Sequence, residues 1–254
     1  MMAEFDTGEV RLWYETEGGG PPLMLVHGNA ASSRWWDLVW APLTRNYTVT
    51  RMDLRGFGRS DKPRDGYTVE QIASDLASLA REQGEFPARW VGHSLGGAVV
   101  LQLCLDWPEL VRDMVLIDPA PADGMPITEE ALEDTERMSK DREVTRVALE
   151  AISPRLDHAT AFFDRLVDDA MDATGWIPMV RALAHWNIVQ RLSEIRNPAL
   201  ILHGANDVLV PAQRVGEMAS RMHRATMTLI PEVGHSLPVE DPKRLIQEIE
   251  NFHS

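Results

Sequence analysis

The sequence predicts an α/β protein with a doubly wound, mostly parallel sheet and one inserted helical cap. Three observations predict it. Short apolar runs alternate with amphipathic helical stretches in the first half; residues 119–192 then carry helical patterns and no strand; alternation resumes after them. A chain of 254 residues is long enough to bury one substantial core of this kind.

Residues 10–16 alternate apolar and polar side chains, as a strand with one covered face does, and Gly18-Gly19-Gly20-Pro21-Pro22 marks the turn after it. Residues 22–26 form a short apolar run of the type buried on both faces of a parallel sheet. Further strands are expected at 47–52, 89–91 and 114–117, with helices at 69–83 and 95–107, the second stopped by Pro108. Helices are then expected at 129–152, 159–171 and 177–192. The first has acidic and basic residues at helical spacing, the mark of a solvated face. Strands return at 199–202 and 226–230, and a helix runs from 241 to about 252. The expected organisation is one core made of residues 1–118 and 193–254, with 119–192 as a helical cap over the strand ends.

Composition narrows the function classes. The formal net charge of −14 repels phosphate backbones and anionic lipid, so neither nucleic acid nor a membrane surface is an expected partner. The single cysteine, Cys104, cannot form an internal disulfide, and it lies in an apolar helical stretch as a structural thiol. The N-terminus has no basic region leading into a long apolar run, and no stretch has the roughly 20 apolar residues that span a bilayer. A cytoplasmic protein is expected.

Gly92-His93-Ser94-Leu95-Gly96 fits G-x-S-x-G, and it follows an expected strand and precedes an expected helix. Such a serine sits on a sharp strand-to-helix turn, where flanking glycines remove the Cβ atoms that would collide. A helix N-terminus beside it favours developing negative charge. Three more stretches join this motif: His27-Gly28-Asn29-Ala30 after the apolar strand, Asp53-Leu54-Arg55-Gly56-Phe57-Gly58-Arg59-Ser60, and Gly234-His235-Ser236. With these motifs, most of the chain resembles the α/β-hydrolase superfamily in its capped esterase and lactonase branch. The resemblance implies the α/β-hydrolase fold, an oxyanion loop at His27–Ala30, and a catalytic histidine in the loop of His235.

Each role has a physical reason. A serine hydroxyl is a weak nucleophile at neutral pH, so Ser94 needs a neighbouring imidazole to take its proton. Of eight histidines, His235 lies after the last expected strand in a Gly-flanked loop that can reach across the sheet top. His27, His93 and His203 adjoin motif glycines and suit structural hydrogen bonds. The base needs a carboxylate to hold its tautomer. Asp207, in His203-Gly204-Ala205-Asn206-Asp207, gives the order Ser…Asp…His expected for this fold. Asp118, at the end of the strand 114–117, is the rival, because some superfamily members place the acid there. The oxyanion would take the backbone N–H of Leu95 and, by the resemblance, that of Asn29. Asp53 and Arg55 are expected to brace loops.

Ser at position 94 argues against the dehalogenase and epoxide-hydrolase branches, which the resemblance would give an Asp there. The expected activity is hydrolysis of a small, mainly apolar carboxylic ester or lactone, in an organisation similar to enol-lactonases and acyl-homoserine lactonases. C–C hydrolysis of a diketone, a slow receptor-like hydrolase and a cofactor-free perhydrolase remain open alternatives. Eight tryptophans against three tyrosines suggest an aromatic pocket at the cap boundary. Its expected substrate-binding residues are Trp35, Trp36, Trp176, Met179, His185 and Trp186. No cofactor or metal is expected, since neither G-x-G-x-x-G after a strand nor a metal-spaced cluster occurs.

Overall fold

A computed structural model describes residues 2–84 and 86–254. The chain opens with β1 (Met2–Asp6), β2 (Arg11–Gly18), β3 (Pro22–Val26), α1 (Asp37–Leu43) and β4 (Thr48–Met52). It continues with α2 (Val69–Gln83), β5 (Ala88–His93), α3 (Leu95–Asp106) and β6 (Val111–Ile117). Four helices follow: α4 (Glu129–Met138), α5 (Arg142–Ile152), α6 (Ala161–Asp172) and α7 (Trp176–His185). The chain closes with β7 (Ala199–Gly204), α8 (Ala212–Ser220), β8 (Ala225–Ile230), α9 (Leu237–Glu240) and α10 (Pro242–His253).

The strands form one eight-stranded sheet in the order β1-β2-β4-β3-β5-β6-β7-β8. The β1–β2 and β2–β4 pairs are antiparallel, and every pair from β4 to β8 is parallel. This is the α/β-hydrolase fold that the alternation and motifs predict. β3 is hydrogen-bonded on both edges, to β4 and β5, which is why Leu23-Met24-Leu25-Val26 is apolar without a break.

Successive side chains on each strand go to opposite faces, and the two faces carry separate cores. Met24, Val26, Trp90, Met114, Leu116 and Ile201 join α2, α3 and α8 on one side. Leu25, Val91, Val115, Ile117 and Leu202 join α1 and α10 on the other. Because β3 and β5 to β8 run parallel, their carboxyl ends converge on one edge, where such sheets bind ligands. His27, Ser94, Asp118, Asp207 and His235 all lie at or just beyond these ends.

Several expectations change in detail. The helix expected at 129–152 is two helices, because the Asp141 side chain accepts the N–H groups of Glu143 (3.0 Å) and Val144 (3.3 Å) and starts α5 anew. The helix expected at 177–192 stops at His185, where Trp186 turns extended, and a 3₁₀ segment covers Val189–Glu194. Four elements lacked a readable pattern. β1 is an exposed edge strand, α1 contains Pro42, α8 buries only Val215 and Met218, and α9 is a single turn of four residues. No helix among the described residues is long and apolar enough to cross a membrane.

Trp90 is fully buried in β5, four residues before Ser94, and its Nε1 donates to the Leu110 carbonyl at 3.1 Å. Trp90→Ala should therefore cost about 3–5 kcal/mol, from lost contacts and the cavity left behind. Urea unfolding monitored by far-UV dichroism reads this as a lower midpoint with an unchanged slope.

Candidate active site

Ser94 links β5 to α3 at φ 54° and ψ −115°, a region L-residues avoid. A Cβ at position 92 would collide with the Gly96 carbonyl, and one at 96 with the Val26 carbonyl, so only glycine permits this reversal. The Ser94 N–H donates to Ile117 at 2.9 Å, and its carbonyl accepts from Gly97 (2.9 Å) and Ala120 (3.2 Å). Those bonds hold the strained turn from three directions. Leu95 is the first residue of α3, so its N–H belongs to the first turn and has no intrahelical acceptor.

His235 follows β8 and is almost inaccessible; its Nδ1 lies 2.7 Å from Asp207 Oδ2. The Asp207 side chain is also fully covered, and its Oδ1 accepts the N–H groups of Leu209 (2.7 Å) and Val210 (3.0 Å). Burial alone would raise this carboxyl. The His235 hydrogen bond and charge, with the two N–H donors, outweigh burial and hold Asp207 below the usual carboxylate value. Burial would likewise lower the His235 ring, and the bond and charge of Asp207 reverse that, leaving it above the ordinary 6.5.

Asp118 sits behind this pair at φ 44°, fully buried. Its Oδ1 accepts the Gly204 N–H at 2.7 Å, and Oδ2 has no hydrogen-bond partner. Burial, with the charge of Asp207 added, pushes it up to about 7 against the attraction of His235. Asp207, not Asp118, is the carboxylate hydrogen-bonded to His235. Asp118, His203 and Asp207 have ligand atoms within 4.8 Å of one another, a spacing that could hold a metal ion. Both oxygens of Asp207 are already committed to hydrogen bonds, as is Nε2 of His203, 3.0 Å from the Val210 carbonyl.

The loop after β3 packs onto the serine turn, with Gly28 so close that a Cβ there would lie 3.1 Å from Ser94 Cβ. The Leu54 N–H donates to His27 Nε2 at 3.1 Å, so Nδ1 carries the proton and donates to the Gly28 carbonyl at 2.7 Å. Asn29 Oδ1 accepts from Ala30 (3.1 Å), and its Nδ2 donates to the Trp176 carbonyl (3.2 Å), tying this loop to α7. His93 Nε2 donates to the His235 carbonyl at 2.7 Å; burial, reinforced by the charge of His235, brings this ring down to about 3. His93 is thus a neutral strut between the two loops. Asp53 braces in the same way, taking Ser33 N–H at 2.7 Å and Arg59 N–H at 2.9 Å, while Arg55 pairs with buried Asp75 at 2.6 Å.

Ser94 and His235 open onto a cavity of about 480 Å³. The α7 wall is Trp176, Val180 and Leu183, one helical stripe, and the α5 wall is Thr145, Ala148, Leu149 and Ile152, another. Trp35 lines it too, stacked on His93 with centroids 5.4 Å apart. Four other residues expected at the pocket lie elsewhere. Trp36 is fully buried in the core on the opposite sheet face, because its neighbour Trp35 takes the cavity side of the same short turn. Met179 faces the core from α7 and is fully buried. His185, at the end of α7, lines a separate surface groove with Glu129, Glu133 and Glu136. Trp186 is buried with Nε1 bonded to Gln102 at 3.0 Å. The α5 wall had no aromatic or chemical signal, and Val208 and Leu209 beside Asp207 also line the cavity while 68% and 46% exposed.

This sheet order, with a strained serine turn at the strand ends, defines an α/β hydrolase. The chain belongs to the alpha/beta hydrolase family, whose sequence profile matches residues 23–248, and it is a hydrolase by that membership. A pimeloyl-[acyl-carrier protein] methyl ester esterase of Pectobacterium carotovorum is 29% identical, over 95% of this chain and 98% of the relative. A 2-(acetamidomethylene)succinate hydrolase of Mesorhizobium japonicum is 25% identical, over 97% and 93%. Among solved structures, Est816, described as an N-acyl homoserine lactone degrading enzyme, is similar with a TM-score of 0.86. It is 24% identical and covers 98% of this chain and 100% of its own.

A buried acid with a raised pKa weakens folding as pH rises. Between 3.8 and about 7 the folded chain keeps an Asp118 proton that the unfolded chain releases, so this group's contribution to stability falls across that window. Asp118→Asn removes the fall. Its unfolding free energy relative to the native chain should rise between about pH 4 and about pH 7 in paired urea titrations; a constant difference would mean Asp118 titrates normally.

Proposed function

We propose that the protein is a serine hydrolase that cleaves an uncharged, mainly apolar carboxylic ester or lactone through an acyl-enzyme on Ser94. The observation that carries this reading is the cavity: Ser94 and His235 share it, and no Lys, Arg, Asp or Glu lines it among the described residues. A carboxylate entering such a space would lose its hydration without gaining a Lys or Arg partner, at a cost of several kcal/mol.

In this mechanism Ser94 Oγ attacks the carbonyl carbon while His235 Nε2 takes its proton. Asp207, bonded to Nδ1, keeps Nε2 free as the acceptor and stabilises the imidazolium. The N–H groups of Asn29 and Leu95 receive the oxyanion, each contributing on the order of 3 kcal/mol to the transition state. The imidazolium then protonates the leaving alkoxide, and water attacks the acyl-enzyme by the same route in reverse. Residues 119–192 act as a cap, with α5 and α7 walling the acyl chain away from water.

Ser94→Ala should abolish turnover of p-nitrophenyl butyrate while the fold is retained; undiminished kcat in a verified sample would end the proposal. Asp207→Asn should cost on the order of 10⁴ in kcat, whereas Asp118→Asn should keep most of it. Because His235 is raised above 6.5 and must be neutral to act, kcat/KM should fall as pH drops, with its half-point above pH 6.5. Across a panel of esters and lactones, a free carboxylate on the acyl chain should lower kcat/KM roughly a hundredfold or more. Equal rates for charged and neutral acyl groups would refute the assigned class.

A further inference from the structure

Glu240 stands outside the groups used above, yet its carboxylate accepts from three backbone N–H groups beside the cavity. It ends the short helix α9 and is 8% exposed. Its Oε1 accepts the N–H groups of Gly234 (3.0 Å) and Ser236 (3.0 Å), the two neighbours of His235. Its Oε2 accepts from Gly234 (3.1 Å) and from Arg155 (3.2 Å), which lies just beyond α5. Every one of these partners is a donor, so the side chain serves as a carboxylate.

The same contact is reinforced from the other side. The Ile152 carbonyl, at the end of α5, accepts both the His235 N–H (3.0 Å) and the Ser236 hydroxyl (2.9 Å). Arg155 also pairs with Asp241 at 3.5 Å, and a Cβ on Gly234 would lie 2.6 Å from Pro154 Cδ. Ile152 and His235 both line the cavity. A wall of the acyl pocket and the backbone of the base are therefore held by one carboxylate and one carbonyl.

We infer that Glu240 is a positioning residue: it clamps the His235 loop to the end of α5 and so sets the direction of the His235 ring toward Ser94. The inference rests on the reading of Ser94, His235 and Asp207 as the catalytic set. Within that reading, the clamp makes the α5 end of residues 119–192 a fixed point. Its negative charge also adds to that of Asp207 in favouring the protonated ring.

The groups facing this carboxylate from the surrounding elements are His235 with Asp207 behind it, Asp118 deeper in, and Arg155 with Asp241 at the surface. Burial raises Glu240 itself, and the bonds from Gly234, Arg155 and Ser236 oppose that rise.

The test compares Glu240→Gln and Glu240→Ala with the native enzyme on p-nitrophenyl butyrate. Glu240→Gln should lower kcat roughly tenfold or more, as small misplacements of reacting groups do, with KM within about twofold. The acid limb of kcat/KM should move to lower pH, because a negative charge near His235 is gone. Folded variants with native kcat and a native acid limb overturn the inference, as does a rise in KM alone, which would make Glu240 part of the pocket wall only. If neither variant folds, amide exchange in the native protein decides. Gly234, Ser236 and Arg155 should be protected together, and an unprotected Ser236 or Arg155 overturns the clamp. Ser94→Ala is run beside them: if it stays active, the catalytic reading falls; if it is dead while Glu240→Gln is native, only the clamp falls.

Discussion

The structure depends on one backbone reversal. β5 ends and α3 begins within a single residue, Ser94, held at positive φ with no side-chain freedom allowed at 92 or 96. Such strain persists only where the surroundings over-determine it. Here β6 supplies the Ile117 carbonyl, the turn after β6 supplies the Ala120 N–H, and β3 crowds the turn from the other edge. The parallel sheet is what brings those neighbours to one level. Its carboxyl ends then present the serine, two carboxylates and the loop of His235 within reach of each other.

The second constraint is how the four helices after β6 are secured. Three of them, α5, α6 and α7, are bonded to the core at separate loops: Trp176 to Asn29, Asp169 to Ser32 (2.6 Å) and Arg34 (2.8 Å), and Ile152 with Arg155 to the loop of His235. Gly175 adds a bond to the Gly56 carbonyl at 3.0 Å. Each tie uses a loop that also shapes the serine site. Asn29, Ile152, Trp176 and His235, which take part in these ties, also line the cavity, and its apolar walls come from regular stripes on α5 and α7.

Electrostatics at the strand ends follow from burial. Three carboxylates gather around one imidazole, and each meets its burial differently. Asp207 does so with the ring and two N–H groups, and Glu240 with three N–H groups. Asp118 has one N–H and a free oxygen, and it keeps its proton to about 7. That is the physical difference between two aspartates that sequence order alone left as rivals.

Much of this was legible in the chain itself. Apolar runs such as 22–26 determine buried parallel strands because a strand covered on both faces tolerates no polar side chain. Gly92 and Gly96 around Ser94 determine a sharp turn because no Cβ fits there. Local chemistry of that kind is written in neighbouring residues. Tertiary structure alone decided which side chains meet across the sheet. It turned Trp35 to the cavity and Trp36 to the far core, sent His185 outward, and brought Glu240 back beneath the loop of His235. These outcomes depend on helix phase and on distances between segments far apart in sequence, and no local pattern carries that information.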